Sequence, residues 1–222
     1  NCESVYLSGN PLTSLVGIKQ KYIRDLEASR TKIQNLEGCP EIVSQLLIKN
    51  CTSFNSLKGT LKEISGQPAY LTIRGTSLQT LEYCPKTNNN VSFRLDFNKI
   101  TSLDGIAKII GGGIDISYNE LTSLQGLPTL KSNRSLKVSD NKITSLIGYG
   151  FESIEFSSFD VTSNKLTSLA GSPYRVNANY ECDANPIENF VGGPKFVGRN
   201  FYATSLRSLK SIEGLPHVIE GR

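Results

Sequence analysis

The sequence repeats itself about every 22 residues, and this periodicity restricts the possible folds more than any other feature. In four consecutive units an asparagine is followed by Leu or Ile two residues later, by Leu five residues later and by Gly seven residues later. We call this residue, and its equivalent in other units, the anchor. The four clearest anchors are Asn98, Asn119, Asn141 and Asn164. A period of about 20 to 50 residues predicts a solenoid, in which each repeat packs against the next.

Looser copies of the unit extend in both directions. Five further anchors fit the spacing, with asparagine or threonine at the position: Asn10, Thr31, Thr52, Thr76 and Asn185. A tenth unit begins within residues 201–214. Lys49 stands at an expected apolar position and Tyr83 at the usual glycine, so we expect local distortion in the third and fourth units. Because no linker interrupts the repeats, we predict one solenoid domain over residues 1–222, incomplete at both ends.

Apolar residues also precede most anchors at fixed distances. Phe93 and Leu95 precede Asn98, and Ile114 and Ile116 precede Asn119 with the same spacing. The resulting pattern, L-x-L-x-x-N-x-L, resembles the signature of leucine-rich-repeat proteins over nearly the whole chain. Segments 124–128 and 191–198 are similar in rhythm to short repeats of bacterial and bacteriophage proteins. The internalin and type III effector subclasses lack this Gly-x-Pro spacing, so their functions are not carried over.

The resemblance implies an α/β-type horseshoe solenoid, with a parallel β-sheet on its concave face. The alternation of apolar residues before the anchor predicts one short strand in each coil. Glycine after most anchors, often with proline close behind, marks a tight turn, so we expect the convex side to be mostly irregular or 3₁₀. Residues 18–28 and 106–110 leave room for one or two helical turns.

The anchor asparagines are predicted to be structural. Each stands where the chain leaves its strand, and its amide can donate to and accept from backbone groups that bend away from the strand. Because equivalent positions stack in a solenoid, these amides are expected to form an internal ladder. Its members are Asn10, Asn98, Asn119, Asn141, Asn164 and Asn185.

The sequence offers little catalytic chemistry. His217 is the single histidine, and the glycines at 111–113 lack the lysine and following helix of a phosphate-binding loop. Aspartates recur once in most coils but at different distances from the anchor, so they do not form one calcium cage. We therefore predict no enzyme activity, no cofactor, no metal and no small-molecule substrate.

The five cysteines, an odd number with irregular spacing, argue against a complete disulfide framework and against a Cys-x-x-Cys zinc site. A reducing compartment follows, and we predict the cytoplasm, which is the host cytoplasm if the protein is phage-encoded, with a virion as the alternative. No apolar run is long enough to span a bilayer, so no membrane partner is expected.

The outward strand positions predict a binding surface. Four positions before successive anchors, charges alternate in sign, which favours cross-strand pairs and argues against a nucleic-acid face. One position before the anchor, aromatic residues stand in neighbouring coils, and exposed aromatics favour protein binding. The predicted protein-binding residues are Arg94, Asp96, Phe97, Asp115, Tyr118, Lys137, Asp140 and Asp160.

From these features we expect a non-enzymatic scaffold of phage or bacterial origin that binds a protein partner through its concave sheet. That partner would be a host protein or a neighbouring subunit. One alternative is a structural component of a virion or surface assembly. Another is a secreted module that recognises carbohydrate or a surface.

Overall fold

A computed structural model describes residues 3–87, 90–131 and 133–221. Its regular elements are short strands and one 3₁₀ helix. In chain order they are β1 (Ser4–Tyr6), β2 (Tyr22–Glu27), β3 (Ile42–Lys49), β4 (Glu63–Ile64), β5 (Ala69–Arg74), β6 (Lys86–Thr87), β7 (Val91–Arg94), β8 (Ile109–Ile110), β9 (Ile114–Asp115), β10 (Thr129–Leu130), β11 (Arg134–Lys137), η1 (Phe151–Ser153), β12 (Glu155–Asp160), β13 (Arg175–Val176), β14 (Tyr180–Glu181), β15 (Phe196–Val197), β16 (Phe201–Tyr202) and β17 (Val218–Ile219).

The chain divides into two compact units. The first comprises Asn1–Asn119 and Gly126–Thr129, and the second comprises Glu120–Gln125 and Leu130–Arg222. Both are built from the same kind of coil, described for each unit below. The prediction of one domain over residues 1–222 stays a prediction.

In the first unit, strands of successive coils pair in parallel. The order is β1, β2, β3, β5, β7 and β9, while β4 and β6 form a second row beside the first half of β3. Leu26 lies opposite Leu46, which lies opposite Leu71. Because the register joins equivalent repeat positions, every coil places the same offset from its anchor on the same face.

The second unit repeats this arrangement with shorter strands. Strand β12 pairs with β11 on one side and with both β13 and β14 on the other. Two rows then continue, β13 to β15 to β17 and β14 to β16, all parallel. The chain makes about ten coils with a spacing of about 21 residues. The predicted parallel β-solenoid is therefore confirmed.

The core of each unit lies between the strands and the turns. Leu46, Leu71 and Phe93 stack from coil to coil in the first unit, each at most 1% exposed. Fully burying such a side chain contributes about 1.5 to 3 kcal/mol. In the second unit, Phe151 packs edge-on against Phe156 and Phe159, with ring centroids 5.6 and 5.4 Å apart. The inward apolar positions thus stabilise neighbouring coils together.

The predicted α/β horseshoe is wrong in its helical part. Among the described residues there is no α-helix, and only Phe151–Ser153 forms a 3₁₀ turn. Residues 18–28 contain strand β2, and residues 106–110 end in strand β8. A coil of about 21 residues must close its turn quickly, and its β-branched and aromatic residues favour extended backbone. None of the helical structure in the described segments is long and apolar enough to cross a membrane.

In the third coil the anchor lies one residue earlier in the sequence than predicted. Ile48 and Cys51 are buried, whereas Thr52 is exposed. The backbone N–H of Thr31, the anchor of the preceding coil, donates to Cys51 Sγ at 3.4 Å. Cys51 is therefore the anchor of this coil, and Lys49 occupies an outward position rather than an apolar one.

The fourth coil makes the usual turn without a glycine. Tyr83 stands at the turn position with φ 65°, and the equivalent Gly105 has φ 87°. Both therefore adopt left-handed backbone, which glycine tolerates more easily than tyrosine. The turn at Tyr83 therefore has the same left-handed backbone as the turns made by glycine. The distortion predicted here is limited to the residue type.

Candidate protein-binding surface

The anchor asparagines form a hydrogen-bonded ladder inside the first unit. Asn98 Nδ2 donates to its own strand at Leu95 O and to the preceding coil at Ile73 O, at 2.8 and 2.7 Å. Asn119 repeats this with Ile116 O and Leu95 O. In return, Asn119 Oδ1 accepts the backbone N–H of Ile100 at 2.9 Å. Each amide therefore joins two coils and fixes the end of its own strand.

The same ladder runs through the second unit. Asn164 Nδ2 donates to Val161 O and to Val138 O of the preceding coil, and Asn185 Nδ2 donates to Cys182 O and to Val161 O. Asn141 donates to Val138 O and accepts the N–H of Leu121. These asparagines are at most 6% exposed, so their hydrogen bonds replace solvation that burial has removed.

Asn10 differs from the other asparagines of the predicted ladder. Its side chain is exposed, and its Nδ2 donates to Leu7 O at 3.0 Å. Asn10 therefore makes the same hydrogen bond to its own strand as the buried asparagines of the ladder. An exposed amide can also be solvated by water, so this position contributes less to stability than a buried anchor does.

The residue before the anchor has a left-handed backbone in every coil. The ten residues, with φ between 51° and 79°, are Gly9, Arg30, Asn50, Gly75, Phe97, Tyr118, Asp140, Ser163, Ala184 and Ser205. This places the tenth anchor at Leu206. Glycine and asparagine adopt this conformation readily, but for bulky residues it is strained. Phe97 and Tyr118 therefore occupy a position that disfavours aromatic side chains.

Phe97 and Tyr118 stack on each other at the surface of the first unit. Their ring centroids lie 4.1 Å apart with an interplanar angle of 10°. The rings remain 42% and 47% exposed. The Arg74 guanidinium covers the Phe97 ring at 4.7 Å from its centroid. Gly75, the equivalent residue in the preceding coil, has no side chain beside this stack.

Charged residues surround the stack. Arg74 Nε donates to Asp96 Oδ2 at 2.9 Å. Arg94 lies directly opposite Asp115 in the register of β7 and β9. Burial, and secondly the charge of Asp115, raise the pKa of Asp96, and Arg74 opposes this only in part. We call Arg74, Arg94, Asp96, Phe97, Asp115 and Tyr118 the strand-end surface.

The other three predicted binding residues belong to the second unit. Exposed Lys137 lies opposite Asp160 in the register of β11 and β12. Asp160 Oδ1 accepts the backbone N–H of Thr162 at 3.0 Å, so this carboxylate also orders its own strand end. Asp140 is half-buried with φ 51°. The alternating charges therefore lie side by side within each unit as their offsets predict.

Three cations in the coils that precede the stack were missed by sequence reasoning, and one of them, Arg74, contacts the Phe97 ring. Arg74, Lys49 and Arg30 stand one or two positions before their anchors, where Phe97 and Asp96 stand in the fifth coil. Because sequence reasoning took Thr52 rather than Cys51 as the anchor of the third coil, it assigned Lys49 to an inward position. The offset of Asp96 gives Arg74 in the fourth coil and, once Cys51 is the anchor, Lys49 in the third, whereas Arg30 stands at the offset of Phe97.

The thiols of Cys39 and Cys84 have a raised pKa. Burial raises the pKa of Cys39 to about 12, and burial likewise raises the pKa of Cys84 to about 12. Since the thiolate is the reactive form of cysteine, these groups are poor nucleophiles near neutral pH. Within residues 3–87, 90–131 and 133–221, no group of three or more His, Cys, Asp or Glu could hold a metal ion.

Comparison with known proteins gives no family model, no curated protein and no solved structure that matches this chain.

Proposed function

We propose that the coils are leucine-rich repeats and that the protein is a non-enzymatic scaffold that binds a protein partner. The strand-end surface of the first unit is the proposed contact. The recurring anchor asparagine and the apolar spacing support the repeat assignment. A bacterial or bacteriophage origin and action in the host cytoplasm complete the proposal, and both rest on the resemblance and the cysteine pattern.

The strained aromatic pair carries the proposal. A residue held in an unfavourable backbone region costs about 1 to 3 kcal/mol, and such residues concentrate at functional sites. Phe97 and Tyr118 have φ of 56° and 55°, and they stay partly exposed when stacked. Stability alone favours glycine or asparagine at these positions, and Gly9, Asn50 and Gly75 stand there in three other coils. Aromatic residues at an interface commonly provide most of the binding energy, which gives a reason for their presence.

A binding role also agrees with the rigidity of the surface. The anchors Asn98 and Asn119, directly after the two aromatics, are buried and bonded to neighbouring coils. The aromatic rings are therefore held in place before a partner arrives. Such preorganisation reduces the entropy lost on association.

Replacing both aromatics with asparagine tests this function. Asparagine tolerates a positive φ, so the Phe97→Asn, Tyr118→Asn variant should keep its stability within about 1 kcal/mol of the parent. Proteins captured from a lysate of the source organism would be identified, purified and titrated against each variant by calorimetry. We expect binding of the purified partner to weaken by about ten-fold or more.

Tyr83→Asn is the matched control for that experiment. Tyr83 is also exposed and has φ 65°, but it lies in a turn rather than at a strand end. It should bind the partner as the parent does. Equal affinity of the double variant and the control for the purified partner would show that the strand-end surface is not the contact.

A role in a larger assembly is a second candidate. Tyr6 and Val16 in the first coil and Ile212 in the last are 68%, 70% and 69% exposed. Apolar side chains of this size are commonly covered in an assembly. Sedimentation over a range of concentrations tests it. Self-association that Val16→Ser and Ile212→Ser both abolish would favour this role, and a monomer at all concentrations would contradict it.

A further inference from the structure

Ion pairs between neighbouring coils follow a simple rule in this fold. A cation and an acid about one coil apart in sequence pair across the two coils. The pairs are Arg24 with Glu3, Lys62 with Glu41, Lys142 with Glu120, and Lys210 with Glu188, at 2.7 to 3.2 Å. Opposite charges in adjacent strands stabilise a sheet, whereas like charges directly opposite destabilise it.

Lys49 does not follow this rule, and its neighbour in the next coil is a second cation, Arg74. They lie directly opposite each other in the register of β3 and β5, where neighbouring strands are about 4.8 Å apart. Arg74 has its acid in the next coil, Asp96. Lys49 has Ser29 in the coil before it, whose Oγ accepts the Lys49 backbone N–H at 3.1 Å. Glu27, at the end of β2, lies opposite Leu47 instead.

Arg30 adds a further cation to the same place. Its backbone N–H donates to Lys49 O at 2.8 Å, so it lies in the coil next to Lys49, and its side chain is exposed. Within the described part of the chain, neither Arg30 nor Lys49 forms an ion pair. We call Arg30, Lys49 and Arg74 the basic row.

Charge is therefore distributed unevenly along this surface of the first unit. The basic row occupies the second, third and fourth coils, whereas in the fifth and sixth Asp96 lies against Arg74 and Asp115 lies opposite Arg94. Among the residues that the structure describes, two of the three cations in the basic row have no acid of their own. Cations held together in this way attract an anion, and complementary charge gives an interface specificity.

We infer that the basic row binds an acidic segment of the protein partner, next to an apolar residue that contacts Phe97. This inference rests on the proposed function and specifies the partner's chemistry. The carboxylates would lie across Arg30, Lys49 and Arg74, since no acid among the described residues neutralises the first two. Contact with the stack would orient the segment, because Arg74 belongs to the basic row and also covers the Phe97 ring.

Two synthetic peptides of equal length test the inference. One alternates glutamate with serine around a central phenylalanine, and the other has glutamine in place of every glutamate. Binding to the whole chain is followed by fluorescence anisotropy at low salt and at physiological salt. We expect the acidic peptide to bind about ten-fold more tightly than the neutral one, with a difference that shrinks as salt rises.

Charge reversals locate the effect. The Arg30→Glu, Lys49→Glu variant should weaken binding of the acidic peptide by about ten-fold. The Lys165→Glu, Arg207→Glu variant changes the net charge equally at an exposed lysine and an exposed arginine of the second unit and should leave binding within about two-fold. Thermal unfolding of both variants checks that the fold is intact.

Several results would overturn the inference. They are equal binding of the two peptides, no binding of the acidic peptide at about 1 mM, and equal losses in the two charge-reversed variants. Single-stranded DNA that binds more tightly than the peptide, with the same dependence on Lys49, would assign the row to phosphate instead. The proposed function has a separate test, because the Phe97→Asn, Tyr118→Asn variant is assayed with the purified partner.

Discussion

Asn164 Oδ1 accepts the backbone N–H of Ile143, in the preceding coil, at 3.0 Å. Its Nδ2 donates at the same time to Val138 O of that coil and to Val161 O of its own strand. One side chain thus satisfies backbone groups that leave their strands and cannot pair with another strand. Because these groups are buried, an equivalent partner from water is not available to them.

Asn164→Ala is expected to destabilise the protein by about 2 to 3 kcal/mol. The change leaves the buried Ile143 N–H without its acceptor, which carries a desolvation penalty. It also removes one of the two amide donors of Val138 O and of Val161 O, which keep Asn141 and Asn185. Asn10→Ala is the matched control, and it should cost under about 1 kcal/mol because Asn10 is exposed. Urea unfolding measures both. Equal losses of unfolding free energy in the two variants would show that the buried ladder hydrogen bonds contribute no more stability than the exposed bond of Asn10.

The sequence predicted the repeat and the parallel solenoid because equal spacing forces equal positions to stack. The bonds of Asn98 and Asn164 use the donors and acceptors that the amide was expected to offer. The register at Cys51 was not predictable in the same way, since Thr52 fits the threonine pattern of its neighbours. The stack on Phe97 depends on a positive φ and on Arg74 from another coil, and neither is visible as a local pattern.

Two glycines with the same backbone conformation should differ in their response to alanine. Gly171 and Gly148 have φ of 89° and 91°. A Cβ at Gly171 would lie 2.3 Å from Leu146 O, whereas a Cβ at Gly148 would meet nothing within 4 Å. Gly148→Ala should cost about 1 to 2 kcal/mol, from the left-handed backbone alone.

Gly171→Ala carries the same backbone penalty and an additional clash with a neighbouring coil. We expect a total loss of about 3 kcal/mol or more, because backbone atoms cannot move away as a flexible side chain can. Thermal and urea unfolding of the two variants provide the comparison. A loss at Gly148 as large as that at Gly171 would contradict close contact between the coils.

The stability contributed by Asp96 should fall as the pH rises. Burial, and then the charge of Asp115, raise the pKa of Asp96 above its ordinary value. The folded state therefore favours the protonated carboxyl, and this stability is present below the unfolded pKa of about 3.9 and lost as pH rises through the folded pKa. Compared with Asp96→Asn, the parent protein should lose unfolding free energy between about pH 3 and pH 6.

Carbon-13 NMR of the Asp96 carboxyl group gives an independent measurement. Asp115→Asn should lower the pKa of Asp96, because it removes the neighbouring negative charge. Arg74→Gln should raise the same pKa further, because it removes the opposing cation. A parent protein that gains stability over Asp96→Asn as pH rises would show that the Arg74 ion pair outweighs burial.

Cys51 rather than Thr52 should carry the structural role in the third coil. Cys51 Sγ donates to Ala28 O at 3.2 Å and accepts the N–H of Thr31, and the residue is fully buried. Cys51→Ala should cost about 1 to 2 kcal/mol, whereas exposed Thr52→Ala should cost under about 0.5 kcal/mol. Cys51→Asn places the usual anchor amide there and should be better tolerated than Cys51→Leu, which fills the same space without a donor or an acceptor. Urea unfolding of the four variants tests the register, and a larger loss at Thr52 than at Cys51 would restore the alignment that the threonine pattern suggested.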